Sequence, residues 1–329
     1  MKRWIRHFGL ILGLAATAAF VVYAVRTLRG QDLSQFASAK AIGGMVFAAI
    51  GYSLIIPLSA LAWRRLLKDL GVSKRWGELS IIMSVTQLAK YIPGNVGQHI
   101  GRAAMSIRRG IPVRPYTISV LVEALLAVVA ATITGVAGCA LSGAGASILD
   151  RHGATRLTTI VVIACVIVLA IMLAQKTLPA VLRRFTSKDR TYGAPNVLPR
   201  NRALASALIS YILNYIVFGA GITIMAMLLL PGQQAQWALL TGSFALAWVV
   251  GFFTPGAPAG LGVREGLMLA LLQFSYARPD ALLIVIALRL ATTLGDILCF
   301  LAGSAAFFLT DMRASARVTH DVPGNDHEA

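Results

Sequence analysis

YIPGNVGQHIGR (Tyr91–Arg102) and FTPGAPAGLGVR (Phe253–Arg264) are two stretches of one pattern, and the rest of the chain is arranged around them. In each, a Pro-Gly pair (Pro93-Gly94, Pro255-Gly256) interrupts an apolar run, and an arginine stands nine residues after the proline. Proline removes a backbone donor and clashes with the preceding turn, and glycine loosens the backbone, so a helix arriving at either pair is expected to stop. Inside a membrane such a break is tolerated only where the freed backbone groups are buried in protein or line a wet cavity. Paired breaks at corresponding positions of two halves therefore point to a transport site.

The flanking sequence places these breaks in a membrane. Of 329 residues, 57% are hydrophobic and 13% charged, far from a soluble composition. Six apolar segments are long enough to span: Phe8–Leu28, Ala41–Trp63, Tyr116–Leu141, Leu157–Gln175, Ala203–Leu230 and Leu282–Leu309. Between them lie Leu79–Arg109, broken at Pro93, and Trp237–Phe274, broken at Pro255. Their arms, roughly 13 to 19 residues each, are marginal for a crossing, so both read as re-entrant hairpins; two tilted crossings per hairpin would leave the same loop parity. The N-terminal KRWIRH and the apolar run behind it have the charge pattern of a signal peptide. The run continues past Ala16–Ala18, so an uncleaved first helix is expected.

A net charge of +17 raises the question of nucleic acid, but the basic residues sit in short loops between apolar runs rather than on one patch. With the N-terminus inside, 21 of the 30 Lys and Arg fall in inner segments and six in outer ones. This is the positive-inside asymmetry, and it puts both termini on the cytoplasmic side of the inner membrane, with no nucleic-acid partner. The same parity makes residues 1–145 and 155–310 two halves of an inverted repeat within a single membrane domain, one hairpin entering from each face. Ser142–Ser147 reads as the turn joining the halves, and residues 311–329 as a disordered cytoplasmic tail. The expected fold is thus an all-α polytopic membrane protein of six long spans plus two re-entrant, broken-helix hairpins.

No polar stretch exceeds roughly 30 residues, too few for a separate catalytic domain of ordinary size. Cys139, Cys165 and Cys299 each lie in an apolar run at no metal-ligand spacing, and read as small core residues. No catalytic centre, metal or cofactor is called for. Ionisable groups at membrane depth are costly, and each is a candidate for function: Lys90, His99, Arg102, Glu123, Arg264, Glu265, Arg289 and Asp296. Arg289 and Asp296, two helical turns apart, share a face and are expected on one cavity wall. Glu123 needs a cationic partner, for which Arg102 and Arg264 are the candidates. Lys90 reads as snorkelling to the cytoplasmic face, and His99 either as a satisfied core imidazole or as a donor to phosphate. Buried ion pairs that merely orient helices would give the same pattern. Two features favour a binding site: the arginines follow helix breaks, whose unpaired N–H groups attract anions, and a guanidinium fork suits phosphate.

KYIPGNVGQHIGR (Lys90–Arg102) and PAGLGVREG (Pro258–Gly266) resemble the two hallmark stretches of the lysylphosphatidylglycerol synthase transmembrane (flippase-like) family. VEALL around Glu123 and ALRLATTLGD around Arg289 are similar to its other polar positions. The resemblance covers almost the whole chain and implies a domain that moves glycerophospholipids or lipid-linked intermediates between leaflets. The name-giving synthases continue into a soluble aminoacyl transferase; this chain ends about twenty residues after the last span, so lysyl transfer is expected to be absent. Asn95-Val96-Gly97 stands where many members carry an aromatic, which points to a different substrate. Relatives fused to a glycosyltransferase domain make polyprenyl-phosphate-linked headgroups the alternative to phospholipids.

The expectation is a lipid flippase whose broken tips meet near the midplane. Arg102 and Arg264 would bind phosphate, and Glu123, Glu265, Arg289, Asp296 and His99 would complete the lining. With no ATP-binding motif, drive would come from a gradient or a partner, or the protein would scramble passively. The alternative is an accessory protein or transferase subunit working with envelope-biosynthesis enzymes on polyprenyl-linked glycans.

Overall fold

Apolar runs of this length satisfy their backbone groups in lipid only by coiling into helices, and in the computed structural model all regular structure among the described residues is helical. It describes residues 36–91, 97–142, 198–254 and 258–320, together with Val22 and Val25. The span Ala39–Asp69 comprises α1 (Ala39–Ser53) and α2 (Ile55–Asp69), followed by α3 (Trp76–Val85), a 3-10 turn (Gln87–Tyr91) and α4 (Gly97–Arg108). Next come α5 (Val113–Leu141), α6 (Asn201–Leu229), α7 (Trp237–Phe253), a second 3-10 turn (Pro258–Gly260), α8 (Val263–Leu272) and α9 (Arg278–His320).

Among the described residues, four helices are long and apolar enough to cross a membrane: Ala39–Asp69, Val113–Leu141, Asn201–Leu229 and Arg278–Thr310. They coincide with four of the six expected spans. The other two, Phe8–Leu28 and Leu157–Gln175, lie outside the described residues, as do Pro93, Gly94, Pro255, Gly256 and Cys165. α9 continues to His320, so residues 311–320 of the expected tail are helical. Side chains such as Ile42, Ile209, Leu301 and Phe308 point outward uncovered, as on a lipid-facing surface.

Local chemistry sets the helix limits. Ser38 Oγ accepts from the Ala41 N–H at 3.1 Å and caps α1. Pro57 has no N–H for the Ser53 carbonyl, so the span Ala39–Asp69 is interrupted at Leu54. Cys299 Sγ instead lies 3.5 Å from the Ser53 oxygen, which gives this buried thiol a packing role. α2 and α4 close alike: Gly71 and Gly110 take left-handed φ of 85° and 75°, and Val72 and Ile111 donate back to Leu67 and Ser106.

Both interrupted segments are broken, the first earlier than expected. α3 leaves α geometry after Val85 rather than at Pro93, and tightens into the 3-10 turn. Thr86 Oγ1 donates to the carbonyls of Ile82 (2.9 Å) and Met83 (3.2 Å), while the proline ahead disfavours α backbone at Ile92. α7 ends at Phe253, just before Pro255, as expected. The four arms α3, α4, α7 and α8 have 10, 12, 17 and 10 residues, and the two 3-10 turns touch each other.

Lipid is as apolar as leucine, so helix contacts in a membrane rely on close packing. α5 and α7 approach at glycine: a Cβ on Gly138 would stand 2.5 Å from the Ala238 oxygen and 2.9 Å from Gly242 Cα. α9 and α3 do the same, with a Cβ on Gly303 standing 2.4 Å from Ser84 Cβ. The largest core cluster joins α6 to α7 and α9 through Phe218, Ile222, Phe244 and Ile284. A smaller one gathers Trp63, Leu67, Leu79, Ile82 and Tyr116 behind the first interrupted segment.

Candidate functional site

The helices border a cavity of about 240 Å³ whose wall includes Gln87, Lys90, Gln98, His99 and Arg102 from the first interrupted segment and Trp248, Phe252, Ala259 and Arg264 from the second. Glu123, Tyr211, Asn214, Tyr215, Arg289 and Asp296 on the long helices complete the polar part. Of the sequence-derived candidates, all but Glu265 line this one space.

Arg102 is 4% exposed, and its two terminal nitrogens grip Glu123 on α5, Nη1 to Oε1 at 3.0 Å and Nη2 to Oε2 at 2.5 Å. Its guanidinium lies 3.8 Å from the Trp63 ring centre, and the indole N–H donates to Ser119 Oγ. Arginine, not lysine, suits this place, because only a planar fork stacks on an aromatic while binding a carboxylate bidentately. Glu123 thus has the partner its burial demands. Arg102, expected to share phosphate binding with Arg264, is committed to that carboxylate; its Nε alone has no partner among the described residues.

Asp296, 1% exposed on α9, collects three donors from the 3-10 turn: Gln87 Nε2 at 2.9 Å, Lys90 Nζ at 2.7 Å and Tyr91 Oη at 2.7 Å. Lys90 also donates to Tyr52 Oη at 3.1 Å. The snorkelling reading of Lys90 is therefore corrected. The turn delivers its ammonium to a buried carboxylate, and burying either charge without the other is costly.

On the opposite side, Glu265 Oε1 pairs with Arg289 Nη1 at 3.3 Å, while its Oε2 accepts from the Gly262 N–H at 2.7 Å. Gly262 has φ 81°, a conformation that favours glycine, and Glu265 satisfies an otherwise free donor at the start of α8. Glu265 accordingly faces Arg289 rather than the cavity. His99 is no core imidazole: it is exposed at the cavity wall, and its backbone oxygen accepts from Tyr116 Oη.

Arg264 differs from the other cations. Its guanidinium lies 4.4 Å from the Phe244 ring centre, with no carboxylate in ion-pair range among the described residues. Among the described residues Lys90, Arg102 and Arg289 each have one acid and Arg264 has none. Among the described residues no cluster of three potential metal ligands occurs.

Sequence reasoning missed Gln87, Tyr91, Tyr52, Tyr211 and Asn214. The last two stand one helical turn apart among the few polar residues of a largely apolar span.

An apolar helical bundle built on two interrupted segments, with charges gathered inside it, agrees with the comparison to known families: the lysylphosphatidylglycerol synthase TM region matches residues 10–303. The chain belongs to this family. It is a membrane protein, and the match is to the family's membrane region alone. No curated protein matches the sequence.

Proposed function

We propose that this protein carries an anionic lipid headgroup between the leaflets of the cytoplasmic (inner) membrane, as a transporter rather than an enzyme. One observation carries the reading: in a cavity with four cationic side chains, Arg264 has no carboxylate partner among the described residues. A guanidinium at membrane depth wants a countercharge, and a phosphodiester entering from the bilayer supplies one. The cavity takes the headgroup while the acyl chains stay in lipid.

Alternating access follows from an inverted repeat of two halves, each with a re-entrant hairpin. The contacts support it. α5 packs on α7 as α9 packs on α3, α1 packs on α9 as α6 packs on α5, and α6 meets α7 as α2 meets α3. The short arms and touching 3-10 turns fit hairpins that dip in from opposite faces, with both termini cytoplasmic. Rocking one half against the other then exposes the cavity to either leaflet.

Vesicles reconstituted with the protein should render a fluorescent anionic phospholipid of the inner leaflet reducible from outside. Arg264→Gln should slow this at least tenfold with the melting temperature unchanged, because no partner is stranded. A variant that exchanges lipid at the parental rate would remove Arg264 from the mechanism. Absence of exchange by the parent, with co-purifying glycan-assembly enzymes, would favour the accessory role.

A further inference from the structure

We infer that the Glu265–Arg289 ion pair sets how tightly the cavity holds its anion. Glu265 acts as a positioning residue: it fixes Arg264 on the cavity wall and neutralises Arg289 beside it, so that one cation, rather than two or none, is left for a headgroup. The inference rests on the anionic-headgroup reading and gives a role to two residues that it leaves without one.

The two like motifs end with opposite polarity. Arg102 and Arg264 each stand nine residues after the proline of their segment, and each broken arm is followed by a long helix, α5 or α9. α5 presents a carboxylate, Glu123, and Arg102 is matched by it. α9 presents a guanidinium, Arg289, and the acid that answers it stands on the arm itself, as Glu265 next to Arg264. Adjacent residues of a helix do not face each other, so Glu265 does not cancel its neighbour. It is 5% exposed, and both its oxygens are engaged elsewhere, Oε2 on the Gly262 N–H at 2.7 Å and Oε1 on Arg289 Nη1 at 3.3 Å. Arg264 and Arg289 line the cavity and Glu265 does not, yet all three border one small hollow of about 10 Å³ behind that wall. At such range the charge of one acts on the others.

The backbone shows how Arg264 is held. Ala259, Gly260 and Gly262 take left-handed φ of 50°, 70° and 81° on the way into α8. A non-glycine persists there only where its surroundings hold it, and a Cβ on Gly260 would stand 2.9 Å from Gly251 Cα, so the turn is pressed against α7. The bond from Gly262 to Glu265 then fixes where α8 begins, and with it the guanidinium of Arg264 over Phe244. Removing the two charges of the pair has opposite consequences. Glu265→Gln keeps an oxygen for the Gly262 N–H but leaves Arg289 unmatched, so the cavity presents two free cations. Arg289→Gln leaves the Glu265 carboxylate unmatched next to Arg264, which it then offsets. A pair that only held helices together would give both variants the same sign.

The test follows exchange of fluorescent phosphatidylglycerol in phosphatidylcholine vesicles against its mole fraction, which yields a half-saturating fraction and a maximum rate. Glu265→Gln should lower the half-saturating fraction about three- to tenfold and Arg289→Gln should raise it by a similar factor, the effect of one charge at short range inside a protein. The maximum rate of Glu265→Gln should also fall, because a tighter anion is released more slowly. The double variant, with neither charge, should lie between the two. Shifts of one sign, or no shift in either single variant, overturn the inference. Should Glu265→Gln fold poorly, a double variant that binds no more tightly than Arg289→Gln overturns it as well. A wild type that exchanges phosphatidylcholine as readily as phosphatidylglycerol sinks the anionic-headgroup reading itself.

Discussion

A charge taken out of water must be answered, and the pairings of the cavity side chains follow from that requirement. Glu123 illustrates it: the carboxylate is met by both terminal nitrogens of Arg102, whose face is covered by Trp63. Glu123→Gln strands a buried guanidinium and should cost about 3–5 kcal/mol, read as a large drop in melting temperature in detergent. Replacing both residues, Arg102→Met with Glu123→Leu, should recover much of that loss; a double variant as unstable as the single would show that the pair is not the source of the cost. Burial of these groups is legible from sequence, since each ionisable residue of an apolar run is a candidate. Partnership is not. Lys90 reads as snorkelling because nothing in its own segment shows that Asp296, 206 residues away, comes within 2.7 Å.

At the level of elements, the packing depends on where side chains are missing. The crossing of α5 and α7 has no room at Gly138, where a Cβ would strike the Ala238 oxygen, whereas a Cβ on Gly43 of α1 meets nothing within 4 Å. Gly138→Val should destabilise by about 1–3 kcal/mol or more, and Gly43→Val should be near neutral, compared by thermal unfolding in the same detergent. Equal effects would mean that the crossing is looser than drawn. The breaks themselves were half legible. Pro255 predicts the end of α7, because proline acts on the turn before it; Pro93 does not predict the end of α3, because Thr86 and the 3-10 turn withdraw the chain from α geometry earlier, to present Gln87, Lys90 and Tyr91 to Asp296. That arrangement depends on α9, which a local pattern cannot see.

For the whole molecule, the two interrupted segments bring their 3-10 turns into contact and border one cavity whose largely apolar wall carries charged side chains. Composition alone announced the bundle, and the paired Pro-Gly breaks announced that something polar would sit between the halves. The division of labour among the arginines was out of reach, since Arg102 and Arg264 occupy like positions in like motifs and differ only in what stands opposite them. Arg264 is where the account is most exposed to test, because a cation at the cavity wall with no carboxylate partner among the described residues predicts an anionic occupant. Native mass spectrometry of wild-type and Arg264→Gln protein, purified in parallel, measures that occupant. The account predicts an anionic lipid retained at about one copy per wild-type cavity and depleted in the variant; the same lipids at the same stoichiometry in both would contradict it.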